Sequence, residues 1–184
     1  KGLSDKWLIT RPLFAYGGVG DMNSLPAKTF YGALNNVSSI DMFLNPNKVK
    51  DYIHVKDFCR GVLAAIDYCV IKGWNKEFNI SAESPYNTFE IVKIMEEVSC
   101  LKLEDIIKWF PKTDYLGNHL LSSKKVRNLT GWEPKISLFD GLKMSFDDIK
   151  LSNDFDKNVY NPLKYLELAK QSSKNLEQFY PKCI

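Results

Sequence analysis

Hydrophobic positions along this chain follow two rhythms, and the two alternate. Short apolar runs closed by Pro, Asn or Gly predict buried strands at 7–10, 40–44, 51–55, 77–80 and 106–110. Arg11-Pro12 closes the first run, and the turn Asn45-Pro46-Asn47 follows the second. Between these runs the apolar residues recur at helical spacing. Helices are expected over 26–35, from 58 to about 72, and over 88–100, 124–129 and 138–149. The second of them carries the stripe Phe58, Val62, Leu63, Ala65, Ile66 and Tyr68 and stops at Gly73. Strands alternating with helices argue for an α/β protein.

Local signals sharpen the boundaries. Pro26 suits a first helical turn, with Asn23 and Ser24 as caps before it. Asn87 and Glu90 have capping-box spacing, and Ser137 with Asp140 open the helix at 138. Asp57 is expected to cap the helix that follows it. The stretch 16–21 reads as a Gly-rich turn. After Leu151 the chain turns polar, and residues 162–179 then regain a helical period through Leu163, Leu166, Leu168, Leu176 and Phe179. The expected division is therefore 1–150 as the main unit and 151–184 as an appended tail with one helix.

Composition excludes more than it identifies. The chain has 184 residues, 45% hydrophobic and 26% charged, with a formal net charge of +3. That is the balance of a globular domain, or of one large piece of a bigger one. Lys and Arg are interspersed with Asp and Glu, without the basic stripe of a nucleic-acid binder. Cys59, Cys69, Cys100 and Cys183 form no C-x-x-C pair, and neither His54 nor His119 stands at metal-ligand spacing from them. The expectations are a reducing, cytoplasmic setting, no metal, no nucleic acid and no membrane. Residues 1–5 run directly into the first apolar strand, and the chain is expected to be part of a larger fold.

Six segments, in order, carry a resemblance. Arg11, Tyr16 and Gly17 match R-x-x-N-x-Y-G, and Lys50-Asp51-Tyr52-Ile53-His54-Val55 with Asp57 matches R-D-Y-I-H-V-x-D. Phe78-Asn79-Ile80-Ser81 matches Y-N-[IL]-[GS], and Pro111 with Asp114 matches a P-G-D loop. Lys125 through Gly131-Trp132-Glu133-Pro134 matches K-x-x-x-x-L-G-W-x-P, with Thr130 at the Leu. Ser137-Leu138 with Gly141-Leu142 matches S-L-x-x-G-[LI]. Together these segments resemble the C-terminal part of the NAD-dependent epimerase/dehydratase family, the extended short-chain dehydrogenases. UDP-glucose 4-epimerases and nucleoside-diphosphate-sugar 4,6-dehydratases are among its members. The resemblance implies the last strands of a Rossmann sheet plus a small α/β substrate-binding domain. It also implies a nucleoside-diphosphate sugar as ligand, NAD or NADP as cofactor, and a possible homodimer.

The same resemblance assigns roles. The family's cofactor loop and catalytic Tyr-x-x-x-Lys pair precede the first matched segment, so no catalytic residue is assigned here. The spacing does recur at Tyr52/Lys56, Tyr68/Lys72 and Tyr160/Lys164, each after the place where the family has it, and is read as coincidence. Gly17-Gly18-Val19-Gly20 lacks the spacing of a dinucleotide loop. Pro12 and Leu13 fall where the family walls its cofactor. Lys50 stands where the family has a phosphate-binding Arg; it keeps the charge but loses the bidentate fork. Lys108 is the only candidate for the family's second cation before the P-G-D loop. Phe43 matches an aromatic that meets the base, and Asn23 and Leu25 match nucleotide contacts. Phe14 replaces the Asn that contacts the sugar, and Tyr16 keeps the family's aromatic. Arg11 and Asp51 are expected to be structural, paired with each other to fix the walls. His54 and His119 are not expected to be catalytic, and Trp74, Trp109 and Trp132 are read as core.

Two other classes remain. One is a non-catalytic module that binds a nucleotide sugar or a protein. The other is an assembly role in which the helix at 162–179 docks on another subunit.

Overall fold

The structure is a computed structural model that describes residues 5–18, 24–42, 45–110 and 117–155. The tail helix expected at 162–179, with Asn23, Phe43 and the segment 111–116, lies outside the described residues. In chain order the elements are β1 Leu8–Arg11, β2 Phe14–Tyr16, α1 Leu25–Leu34, β3 Ile40–Met42, β4 Val49–His54 and α2 Val55–Lys72. Then come β5 Lys76–Asn79, β6 Pro85–Asn87, α3 Thr88–Ser99, β7 Ile107–Trp109, α4 Lys124–Thr130 and α5 Leu138–Phe155.

The helix ends follow the local chemistry. The Ser24 hydroxyl accepts the Ala27 N–H at 3.4 Å to start α1. Asn87 and Glu90 close a reciprocal capping box on α3, at 2.9 and 2.7 Å. Ser137 accepts the Asp140 N–H at 3.0 Å and so opens α5. One expected cap is corrected. α2 begins at Val55, not after Asp57, and His54 is its N-cap: its Nδ1 accepts the Lys56 N–H at 3.2 Å. An imidazole nitrogen can take this place because a cap needs only a lone pair aimed at the first turn. Asp57 is instead fully buried inside that turn. It accepts the N–H groups of Lys135 and Ile136, both at 2.8 Å, and an ion pair from Arg60. It therefore ties α2 to the segment leading into α5. Lys56, between the expected strand and the expected helix, is on this helix. α5 also runs past the expected end at 149, through to Phe155.

Among the described residues the strands form three small sheets. β1 pairs with β5 in parallel, β3 with β7 in parallel, and β4 lies between β2 (parallel) and β6 (antiparallel). β2 and β6, each of three residues, replace what the sequence presents as loop. β4 is the wall between two cores. Its side chains alternate faces, as strand geometry requires. Tyr52 enters a core built with Phe30, Ile91, Met95, Leu142 and Ile149. Ile53 enters a second core with Phe78, Ile80, Val126 and Trp132. α2 approaches this second core closely at Gly61, where a Cβ would lie 2.7 Å from Ile80 Cγ2 and 3.0 Å from the Trp132 ring. No helix among the described residues is long and apolar enough to cross a membrane.

Candidate functional site

The sheet β2–β4–β6 builds the site. Its register sets Phe14 beside Tyr52, Tyr16 beside His54 and Lys50 beside Tyr86. Because alternate residues share a face, Phe14, Tyr16, Lys50, Tyr52, His54 and Tyr86 all rise from the same side of the sheet. Their rings form a continuous chain. His54 meets Tyr16 edge-on at 5.4 Å, Tyr16 meets Tyr52 at 6.0 Å, and Tyr52 meets Phe14 at 5.4 Å. The His119 ring then stacks on Phe14 at 5.7 Å, with 15° between the planes. The Lys50 ammonium lies over the Phe14 ring, 5.0 Å from its centroid, and the residue is only 7% exposed. His119 reaches this place because its N–H donates to the Val49 carbonyl at 3.0 Å, while Asn118 Oδ1 accepts the Val49 N–H at 3.1 Å. The segment thus runs alongside β4, bridging at Lys50.

Electrostatics divide the face in two. Around Tyr16 and His54 it is dry. Burial pushes the Tyr16 phenol well above its ordinary value, with Asp57, Tyr86 and Asp140 adding to the effect. Burial does the same to Tyr52, so both phenols stay protonated. The His54 imidazole is pushed below its ordinary value by burial and by Lys56, against an opposing pull from Asp57 and Asp148. Its Nδ1 accepts a hydrogen bond, so the proton of the neutral ring sits on Nε2, which finds no acceptor among the described residues. A helix-start cavity of ≈ 180 Å³ lies next to this region, lined by Tyr16, Gly17, Ser24, Ala27, Val55 and Ser145. Around Phe14 the face instead carries a cation and a second imidazole.

The opposite face of β4 is structural. Asp51 accepts from the Ser81 hydroxyl and from the N–H groups of Glu83 and Ser84, at 3.1 and 3.2 Å. Burial raises its carboxyl above the ordinary value, while those two backbone bonds pull it down. The expected pairing of Arg11 with Asp51 is not what forms. Arg11 pairs with Glu77 across β1 and β5, half exposed, while Asp51 is buried and taken up by Ser81 and the Glu83 and Ser84 N–H groups. Both residues hold walls, but different ones.

Of the residues singled out in the sequence, Phe14, Tyr16 and Lys50 come together. Leu25 is a buried first-turn residue of α1 and a core member. Pro12 and Leu13 are half-buried in the link between β1 and β2. Lys108 is exposed on β7 opposite Asp41, in a different sheet from Lys50. Asn23 and Phe43 lie outside the described residues. Trp132 is core, and Trp109 packs on Phe89 at 5.5 Å. Sequence reasoning missed His119 as a neighbour of Lys50, and it missed Tyr52 and Tyr86 in the same face. Register across 69 positions is not visible in a linear chain; for Tyr52 the signal was alternation on β4, whereas Tyr86 is placed by the pairing of β6 with β4.

No family model matches this sequence, and no curated protein matches it either. Solved structures do. The UDP-glucose 4-epimerase of Thermotoga maritima, solved with UDP-glucose, is 26% identical with a TM-score of 0.69, over 80% of this chain and 47% of that one. The dTDP-glucose 4,6-dehydratase of Bacillus anthracis, solved with NAD, is 21% identical with a TM-score of 0.70, over 83% and 47%. RMD of Pseudomonas aeruginosa, solved with NADPH, is 14% identical with a TM-score of 0.67, over 79% and 48%. The chain therefore spans about half the length of the structures it resembles.

Proposed function

We propose, from a fold and an order of motifs that are those of the C-terminal part of the NAD-dependent epimerase/dehydratase family, that this chain supplies the substrate-binding part of a sugar-nucleotide-modifying enzyme. The ligand is a nucleoside-diphosphate sugar and the reaction an epimerisation, dehydration or reduction. The observation that carries the proposal is Lys50, an ammonium held in the aromatic face formed by Phe14, Tyr52 and His119. An ammonium set against a π face where little water reaches it binds anions strongly, and a diphosphate is such an anion. Phe14, Tyr16, Leu25, Asn23 and Phe43 are proposed as the surrounding contacts, with Lys108 as an outlying second cation.

NAD or NADP is the cofactor this reading implies. The described residues do not form a dinucleotide cradle by themselves. A Cβ on Gly17 would lie 2.7 Å from His54 Nε2, so this turn closes on the imidazole rather than opening toward a phosphate. Pro12 and Leu13 would contribute only a wall, and no chemical step is assigned to the group.

Calorimetric titration of UDP-glucose into the chain and its Lys50→Ala variant tests the reading. Micromolar to millimolar binding that weakens about tenfold or more without the ammonium is expected, since charged hydrogen bonds contribute about 1.5–3 kcal/mol each. Wild-type affinity in Lys50→Ala would sink it. Lys108→Ala should matter less. The alternative is a non-catalytic nucleotide-sugar- or protein-binding module, favoured by Phe14 standing where the family has an amide. The two part on turnover by the full-length protein that carries this chain: UDP-sugar binding with no conversion in the presence of NAD or NADP selects the module.

A further inference from the structure

Phe14 is a departure from the family pattern, and its surroundings give it a job other than touching sugar. Its ring is flanked by Tyr52 at 5.4 Å and stacked by His119 at 5.7 Å, and the Lys50 ammonium lies 5.0 Å from its centroid. Lys50 also departs from the pattern, since an Arg is expected there. The two departures are physically coupled. An Arg fork is planar and pre-organised for a phosphate, whereas a Lys ammonium sits at the end of four rotatable bonds and needs something to hold it. An aromatic face at this distance attracts a cation, and more so where water is excluded. Lys50 is 7% exposed, so the attraction acts in a poorly hydrated place.

The sheet explains why position 14 can do this. Phe14 is the register partner of Tyr52, and Lys50 rises two residues before Tyr52 on the same face. The side chain at 14 therefore lies diagonally next to the one at 50 whatever the residue types. An Asn at 14 would be too short to cover the ammonium and would offer it no π face. A lysine at 50 with an amide at 14 would lose both the fork and the π face.

We infer that Phe14 is a positioning residue that pins the Lys50 ammonium by a cation–π contact, so that Phe14 and Lys50 together replace the arginine of the diphosphate site. This rests on the reading that Lys50 meets the diphosphate, and it changes the part played by Phe14 from sugar contact to support.

The test is a titration of UDP into the full chain, with phenylalanine at 14 replaced by its mono-, di- and trifluoro forms, in wild-type and Lys50→Ala backgrounds. Fluorination drains the ring face of negative potential while barely changing its size, so folding and packing are kept. Stepwise weakening of binding with each fluorine, reaching about five- to thirtyfold, is expected with Lys50 present. In Lys50→Ala the series should be flat. Phe14→Leu, which keeps an apolar side chain without a π face, should weaken binding as the trifluoro form does. A flat fluorine series with Lys50 present, while Lys50→Ala still weakens binding, would overturn the pinning role and leave the diphosphate reading intact. Equal UDP affinity in wild type and Lys50→Ala would remove the premise and the inference together.

Discussion

At the scale of single residues, the account turns on a few crowded contacts. Gly141 of α5 sits against Tyr16, and a Cβ there would overlap the Tyr16 phenol oxygen and lie 3.1 Å from His54 Cδ2. Gly141→Ala should therefore destabilise the fold by about 1–3 kcal/mol, the usual cost of overpacking. Removing the phenol oxygen in Tyr16→Phe should recover part of that loss, read as non-additivity in denaturant melts. His54 gives a pH signature. Burial holds its folded-state pKa below the ordinary 6.5, so below that pH the unfolded chain binds more protons. Its contribution to stability is fully present above about pH 6.5 and is lost as the pH falls through the depressed folded value, by at most about 1.4 kcal/mol per unit. His54→Asn keeps a capping acceptor and removes the titration. The difference in stability between wild type and this variant should shrink between pH 7 and pH 5; an unchanged difference would contradict the buried neutral cap. Lys50 was legible in the sequence because a motif surrounds it. The role of His54 was not, since a histidine cap depends on where the strand stops and the helix starts.

At the scale of elements, most of the fold was legible. The amphipathic stripes of α3 and α5 fall where their periods place them, that of α2 does so except at Leu63, which is 60% exposed, and the Asn87/Glu90 capping box forms as its spacing predicts. The strands β1, β3, β5 and β7 were visible as apolar runs. β2 and β6 were not, because three residues are too few for a period and their pairing is supplied by β4. The boundary between β4 and α2 moved because Val55, strand-like by itself, is the first residue under the His54 cap. Asp57, released from capping, becomes the joint between α2 and the chain entering α5. Asp57→Ala would leave the Lys135 and Ile136 N–H groups and the Arg60 guanidinium without their partner. A loss of about 2–4 kcal/mol in unfolding free energy is expected. A loss under half a kcal/mol, as at a surface site, would show that the joint carries little.

At the scale of the molecule, β4 divides two cores, and the surface of the second is not closed. Leu63, Val70 and Ile71 on α2 are 60%, 66% and 75% exposed, and Trp7 and Ile9 at β1 are 46% and 44% exposed. Leu63 and Val70, two turns apart, stand on the face of α2 opposite the buried Gly61 and Ala65. Apolar surface of this kind promotes association. The chain studied alone is therefore expected to self-associate with rising concentration in light scattering, and Leu63→Lys with Val70→Lys should reduce this. A monodisperse wild-type chain at high concentration would count against it. The central claim concerns the other core, where the aromatic face presents Lys50. Its most direct test is the phosphorus NMR spectrum of UDP-glucose titrated with the chain. Shifted or broadened pyrophosphate resonances that return to their free positions with Lys50→Ala are the predicted result. Resonances unmoved by the wild-type chain, or moved equally by the variant, would contradict it.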